Sequence, residues 1–182
     1  MPELPELELL RRDLEREVLD KKIKDVEVST AGLLKSPTKK SFAAEMIGSK
    51  ITSIDRRGML LVLGVEDTHL LVISLGPKAK VVKVQAKEET EPGTGLVITF
   101  TQGGQLRLVD HKKGSSIELI AADGLAEAHP ELANLGLDAV DEPISWTTFG
   151  ERLLRRDGKL KSVLMDPTFM VGIGPIYSDE IL

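Results

Sequence analysis

Leu4, Leu7, Leu10, Leu14 and Val18 recur every three or four residues with charges between them. That spacing predicts an amphipathic helix with one face docked on a core. Residues 23–29 read as a strand. Thr38 or Ser41 is placed to cap a short helix through Phe42, Ala43 and Met46, which Gly48 ends. The period then changes to two. Residues 50–56, 60–65, 70–75, 81–85, 95–101, 105–110 and 117–121 are short, β-branched-rich runs with turn signals at Arg57-Gly58, Glu66-Asp67, Gly76-Pro77 and Gly103-Gly104. Seven or eight such strands predict a sandwich or barrel. Residues 87–93 read as a polar, mobile loop. Residues 122–143 form a transition, after which helical spacing returns. Ser145 is placed to cap a helix over 146–156, a second follows over 159–165, and Pro175 sits at the first position of a last helical turn. The chain reads as α+β. An N-terminal β-sandwich with a flanking amphipathic helix occupies residues 1–130, and a small helical segment occupies 131–182.

Composition narrows the class. The 182 residues suit one domain with a small appendage, and the hydrophobic content of 41% supports a real core. With no cysteine, disulfides and thiolate zinc sites are excluded, which fits a reducing compartment; a cytoplasmic location is the expectation. No cofactor and no metal are expected, and no apolar run is long enough to span a membrane. The net charge of −5 argues mildly against a nucleic-acid partner. The distribution argues the other way: residues 35 to 87 hold ten Lys/Arg against four acids. Such asymmetry can present a basic face to phosphate, although lysines on strand edges also serve to prevent aggregation. Aromatic residues are only 3% of the chain, so stacking platforms are not an obvious means of binding. His69 and His129 stand alone, while His111 beside Asp110 is a weak candidate for a proton-transfer pair.

The densest chemistry lies in the opening run MPELPELELLRRDLE. With Met1 removed, Pro2 presents a secondary amine. An α-amino group titrates near ~8, so a useful fraction is neutral at physiological pH. Neutral amines attack electrophilic carbon and form Schiff-base intermediates. Glu3 and Glu6 stand one and four residues away, close enough for acid and base roles. The same residues also suit plain helix initiation, with proline at the start and acids in the first turn.

Four stretches, in order, resemble the formamidopyrimidine-DNA glycosylase / endonuclease VIII family. They are MPELPE; Ile54 to Gly58 with the apolar run to Val65; Ile73-Ser74-Leu75-Gly76; and Lys161 to Asp166 with Val171 to Glu180. Residues 134 to 138 are similar to its hinge. The resemblance implies a DNA base-excision repair protein of the glycosylase and AP-lyase class. Pro2 would be the Schiff-base nucleophile, with Glu3 and Glu6 as its carboxylates. The helical segment would be a partial helix–two-turns–helix element without the family's terminal finger. Damaged or abasic DNA, held weakly, is the implied partner, contacted by Arg56, Arg57, Lys78, Lys112, Lys113 and Lys161. The sequence also departs from the family pattern. Met59 stands where the resemblance implies a hairpin lysine, and a thioether carries no proton. Pro77, Asp110 to Gly114 and Pro175 replace an inserted methionine, an apolar wedge and a phosphate-binding asparagine. An altered enzyme and a catalytically inactive paralogue that binds DNA or a protein partner are both left open.

Overall fold

The computed structural model describes residues 2–182. Helix α1 (Leu4–Val18) is followed by β1 (Ile23–Val28), β2 (Leu34–Ser36), α2 (Lys39–Met46), β3 (Ile51–Arg57), β4 (Leu60–Val65), β5 (His69–Ser74), β6 (Lys80–Val84), β7 (Thr94–Phe100), β8 (Gln105–Val109) and β9 (Ser116–Ala121). The strands form two sheets, in the orders β1-β7-β8-β6 and β2-β9-β5-β4-β3. All pairings are antiparallel except that of β2 with β9. One apolar cluster draws on both sheets: Ile23, Leu96, Ile98 and Leu106 meet Ile54, Leu61, Leu63, Leu71 and Ile73. Leu7, Leu14 and Val18 of α1 and Phe42 and Met46 of α2 join it, so both helices dock through the faces their sequence periodicity marks.

The helical segment contains α3 (Leu125–Ala128), a 3₁₀ turn (Pro130–Asn134), α4 (Trp146–Leu153), α5 (Leu160–Leu164) and α6 (Pro175–Ile181). It has a small cluster of its own, in which Val163, Leu164 and Phe169 pack with Phe149, Leu153, Met170 and Ile173. The stretch at 136–137 is laid against the turns between α5 and α6. The Gly136 and Leu137 amides donate to Pro167 O and Phe169 O, and the Val171 amide donates back to Leu137 O (2.8–2.9 Å). A side chain at Gly136 would collide with the Phe169 carbonyl, which explains the glycine there. No helix among the described residues is long and apolar enough to cross a membrane.

Caps follow the sequence. Thr38 Oγ1 accepts from the Ser41 amide, and Ser145 Oγ accepts from the Thr148 amide. Three details differ from expectation. The short edge strand β2 carries too few residues to show a period. Helix α4 stops at Leu153, three residues early, ahead of Gly158 with φ of 109°. The 87–93 loop is tethered rather than free: the buried Arg107 guanidinium donates to the carbonyls of Glu88 and Glu89, both at 2.8 Å, and Lys80 pairs with Glu91.

Candidate active site

Pro2 leads directly into α1 and is half-buried. The first turn carries a reciprocal cap, in which the Glu3 amide donates to Glu6 Oε2 at 3.0 Å. The Glu3 side chain reaches further. Its carboxylate accepts from the backbone amides of Gly174 (2.8 Å), Ile176 (2.8 Å) and Tyr177 (3.0 Å). It therefore sits on the unpaired N–H groups that open α6, 171 or more residues away in the chain. Glu3 is 6% exposed. Burial pushes its carboxyl up, but the bonds from Tyr177, Ile176 and Gly174 outweigh burial and hold it below its ordinary value. Glu3 is thus an ionised, fully engaged carboxylate. Glu6 is exposed, and its Oε1 accepts from the Tyr177 hydroxyl at 3.0 Å. That bond to a carboxylate pushes the phenol up.

The β3–β4 hairpin reaches the same place. The Leu4 amide donates to Gly172 O at 2.8 Å. Gly172 adopts φ of 66°, and a Cβ there would lie 2.7 Å from Leu4 Cβ and against Met59 Sδ. Only glycine permits both the left-handed backbone and the close approach. Met59 thus lies with Leu4 and Gly172 beside the start of α1, half-buried and packed against the main core. Three distant pieces of chain meet around the first turn of α1: the hairpin tip, the residues between α5 and α6, and the N-terminus of α6.

Arg56, expected to contact DNA, does something else. It is 4% exposed, and its guanidinium donates to Asp138 (2.6 and 3.1 Å), Asp141 (2.8 Å), Glu8 (3.3 Å) and the Gly58 carbonyl (3.0 Å). A buried cation committed to three carboxylates has no donor left to offer a phosphate, so Arg56 leaves the set of contact candidates. Its partners show the same commitment. Burial raises Glu8 and Asp138, but Arg12, Arg11 and Arg56 together pull Glu8 below its ordinary value, and Arg56 does the same for Asp138. Arg56 joins α1, the hairpin and the hinge at Asp138.

Of the other basic candidates, Arg57, Lys78, Lys112 and Lys113 are exposed and Lys161 is half-buried. Arg57 lies next to the hairpin turn. Lys78 and Lys113 both adopt left-handed backbone, with φ of 63° and 54°, on loops joined by the Gly76 amide donating to Ser115 Oγ at 2.9 Å. Lys112 is on the second of these loops. Asp110 shapes it by accepting from the amides of Lys112 (2.9 Å) and Ser115 (2.6 Å). Asp110 is therefore engaged with backbone and makes no pair with His111, which instead faces Glu91 at 3.6 Å. Lys161 pairs with Asp179, linking α5 to α6. The basic window of residues 35–87 is partly neutralised, because Lys80 and Lys83 pair with Glu91 and Glu17 from outside it. His129 bridges Glu118 and Glu131 at 2.8 and 2.9 Å and so ties β9 to the 3₁₀ turn. The residue that sequence reading missed is Tyr177, whose role depends on contacts across the chain.

Comparison with known proteins gives the family and the fold. Residues 1–117 match the family model described as the formamidopyrimidine-DNA glycosylase N-terminal domain. The formamidopyrimidine-DNA glycosylases of Bacillus cereus and Geobacillus kaustophilus are 36% and 34% identical over 183 residues, covering all of this chain and 66% of each relative. The Lactococcus lactis Fpg (MutM) in complex with N7-benzyl-Fapy-dG DNA superposes with a TM-score of 0.87 at 29% identity, over 100% of this chain and 66% of that one. The same protein with DNA containing an abasic site gives a TM-score of 0.87. The chain spans about two thirds of the length of the relatives it matches.

Proposed function

The chain belongs to the formamidopyrimidine-DNA glycosylase family, and from that membership we propose that it is a base-excision protein for damaged or abasic DNA in which Pro2 is the Schiff-base nucleophile. The observation that carries this reading is the gathering of Pro2, Glu3, Glu6, the hairpin tip and the α5–α6 turns around the first turn of α1. In this reading residues 1–130 supply the nucleophile, and residues 131–182 form a helix–two-turns–helix arm.

The neutral Pro2 nitrogen attacks C1′ with its lone pair, and the damaged base departs with the glycosidic electron pair and gains a proton. The nitrogen then loses its proton, and its lone pair expels O4′, so that the C1′–O4′ bond breaks, O4′ gains a proton and C1′ becomes an iminium. The iminium acidifies the neighbouring C2′, whose proton leaves with expulsion of the 3′-phosphate. Glu3, held ionised, offsets the positive iminium. Glu6, facing solvent, exchanges protons with the adduct. Arg57, Lys78, Lys112, Lys113 and Lys161 are the candidate phosphate contacts.

A second reading, a catalytically inactive paralogue that binds DNA or a protein partner, is favoured by Met59. A half-buried thioether stands at the hairpin tip beside the N-terminus, where it can neither pair with phosphate nor carry a proton. Intact mass and DNA anisotropy test the proposal together. We expect a mass lacking Met1, with binding at ~10⁻⁴ to 10⁻⁶ M that weakens steeply between low and physiological salt. Retained Met1 places Pro2 in an amide and leaves only the second reading.

A further inference from the structure

Tyr177 contacts both carboxylates of the N-terminal site. Its backbone amide donates to Glu3 Oε2 at 3.0 Å, and its hydroxyl donates to Glu6 Oε1 at 3.0 Å. The two bonds have different characters. Glu3 keeps two further amide donors, from Gly174 and Ile176, and stays fixed whatever the tyrosine side chain does. Glu6 is exposed and has two protein donors, the Glu3 amide on Oε2 and the Tyr177 hydroxyl on Oε1. Without the hydroxyl, an exposed glutamate held by one backbone bond samples several rotamers. With it, both oxygens are fixed, and the carboxylate stays over the Pro2–Glu3 peptide unit. Tyr177 is itself placed by α6, whose first turn rests on Glu3. The side chain that orients Glu6 is thus delivered by the helix that Glu3 caps.

We infer that Tyr177 is a positioning residue whose hydroxyl fixes Glu6 for proton transfer at the Pro2 adduct. The inference rests on the proposed function. It adds a requirement that the nucleophile alone does not carry, namely that proton transfer depends on the docking of α6.

Tyr177→Phe is the variant to test. It removes one oxygen and keeps both the ring and the backbone amide that binds Glu3. Two measurements are made on wild type and variant. The first is hydrogen exchange at the Glu3 amide, which donates to Glu6. The second is single-turnover borohydride trapping on a duplex with one abasic site, analysed for the maximal rate and the half-saturating protein concentration. Exchange at the Glu3 amide is expected to accelerate several-fold in the variant, while the Ile176 amide keeps its protection. The maximal trapping rate is expected to fall about tenfold, the order of one good hydrogen bond to a charged group, with half-saturation unchanged. A purely structural role would instead raise half-saturation or release the Ile176 amide. Trapping by wild type with an unchanged Glu3 amide, or with an unchanged maximal rate in the variant, overturns the inference and leaves Pro2 chemistry standing. Absence of any trapped adduct in wild type overturns the proposed function and this inference with it.

Discussion

At the scale of single residues, the chemistry divides into what composition and spacing reveal and what only contact reveals. Pro2, Glu3 and Glu6 can be singled out from the sequence because the roles proposed for them depend on a terminus and on three-residue spacing within one turn. Arg56 is not legible: a strand arginine reads the same whether it faces solvent or three carboxylates, and Asp138 and Asp141 lie more than 80 residues away. Tyr177 is invisible for the same reason. Met59 is legible as a departure, and the structure adds that its thioether packs against the core and against Leu4 and Gly172. A long lysine stem can stay in the same apolar contact while its ammonium reaches water beside the start of α1. Met59→Lys is therefore expected to raise single-turnover nicking of abasic DNA by at least about tenfold, since a general acid–base group is typically worth ~10² to 10⁴. Affinity should change far less. Nicking at the wild-type rate, in a variant that still traps DNA through Pro2, would show that Met59 is not the limiting defect.

At the scale of elements, strands and long helices were readable because their periods are regular and their faces are buried on one side. The short pieces β2, α3 and the 3₁₀ turn were not, because three to five residues hold less than one useful repeat. Pro175 marks the start of α6 in the sequence, but the Glu3 carboxylate that holds its N-terminus comes from the other end of the chain. The free glutamate titrates near ~4.3, and the folded value is lower, so the stabilisation is complete above about pH 5 and is lost as pH falls through the folded value. The amide resonances of Gly174, Ile176 and Tyr177 should therefore move together on acidification below about pH 4.5. In Glu3→Gln the movement should disappear, and a wild-type profile in that variant would rule out Glu3 as its source.

Arg56 acts at the same scale, because its guanidinium ties α1, the hairpin and the hinge together. Arg56→Ala leaves Glu8 and Asp138 close together, shielded from water and without their shared cation. The expected cost is about 3 kcal/mol, read as a lower urea midpoint with unchanged slope. A loss below about 0.5 kcal/mol would mean the network is no stronger than a surface ion pair.

At the scale of the molecule, the main hydrophobic cluster belongs to the two sheets and their flanking helices, and the smaller cluster belongs to α4, α5 and the turns before α6. Glu3, Leu4 and Arg56 connect the two, and the proposed chemistry lies at that junction. The excess of acid over base in the whole chain is not spread evenly over the surface, because Lys80, Lys83 and Arg56 are already paired internally while Arg57, Lys78, Lys112 and Lys113 remain exposed. Borohydride capture on abasic duplex DNA, followed by peptide mapping of the adduct, tests the central claim most directly. The account predicts a covalent protein–DNA species whose modified peptide begins at Pro2, with the DNA joined to the Pro2 nitrogen, and which is lost when the amino terminus is blocked by acetylation. Capture at a lysine, or equal capture by the free and the acetylated protein, would contradict it.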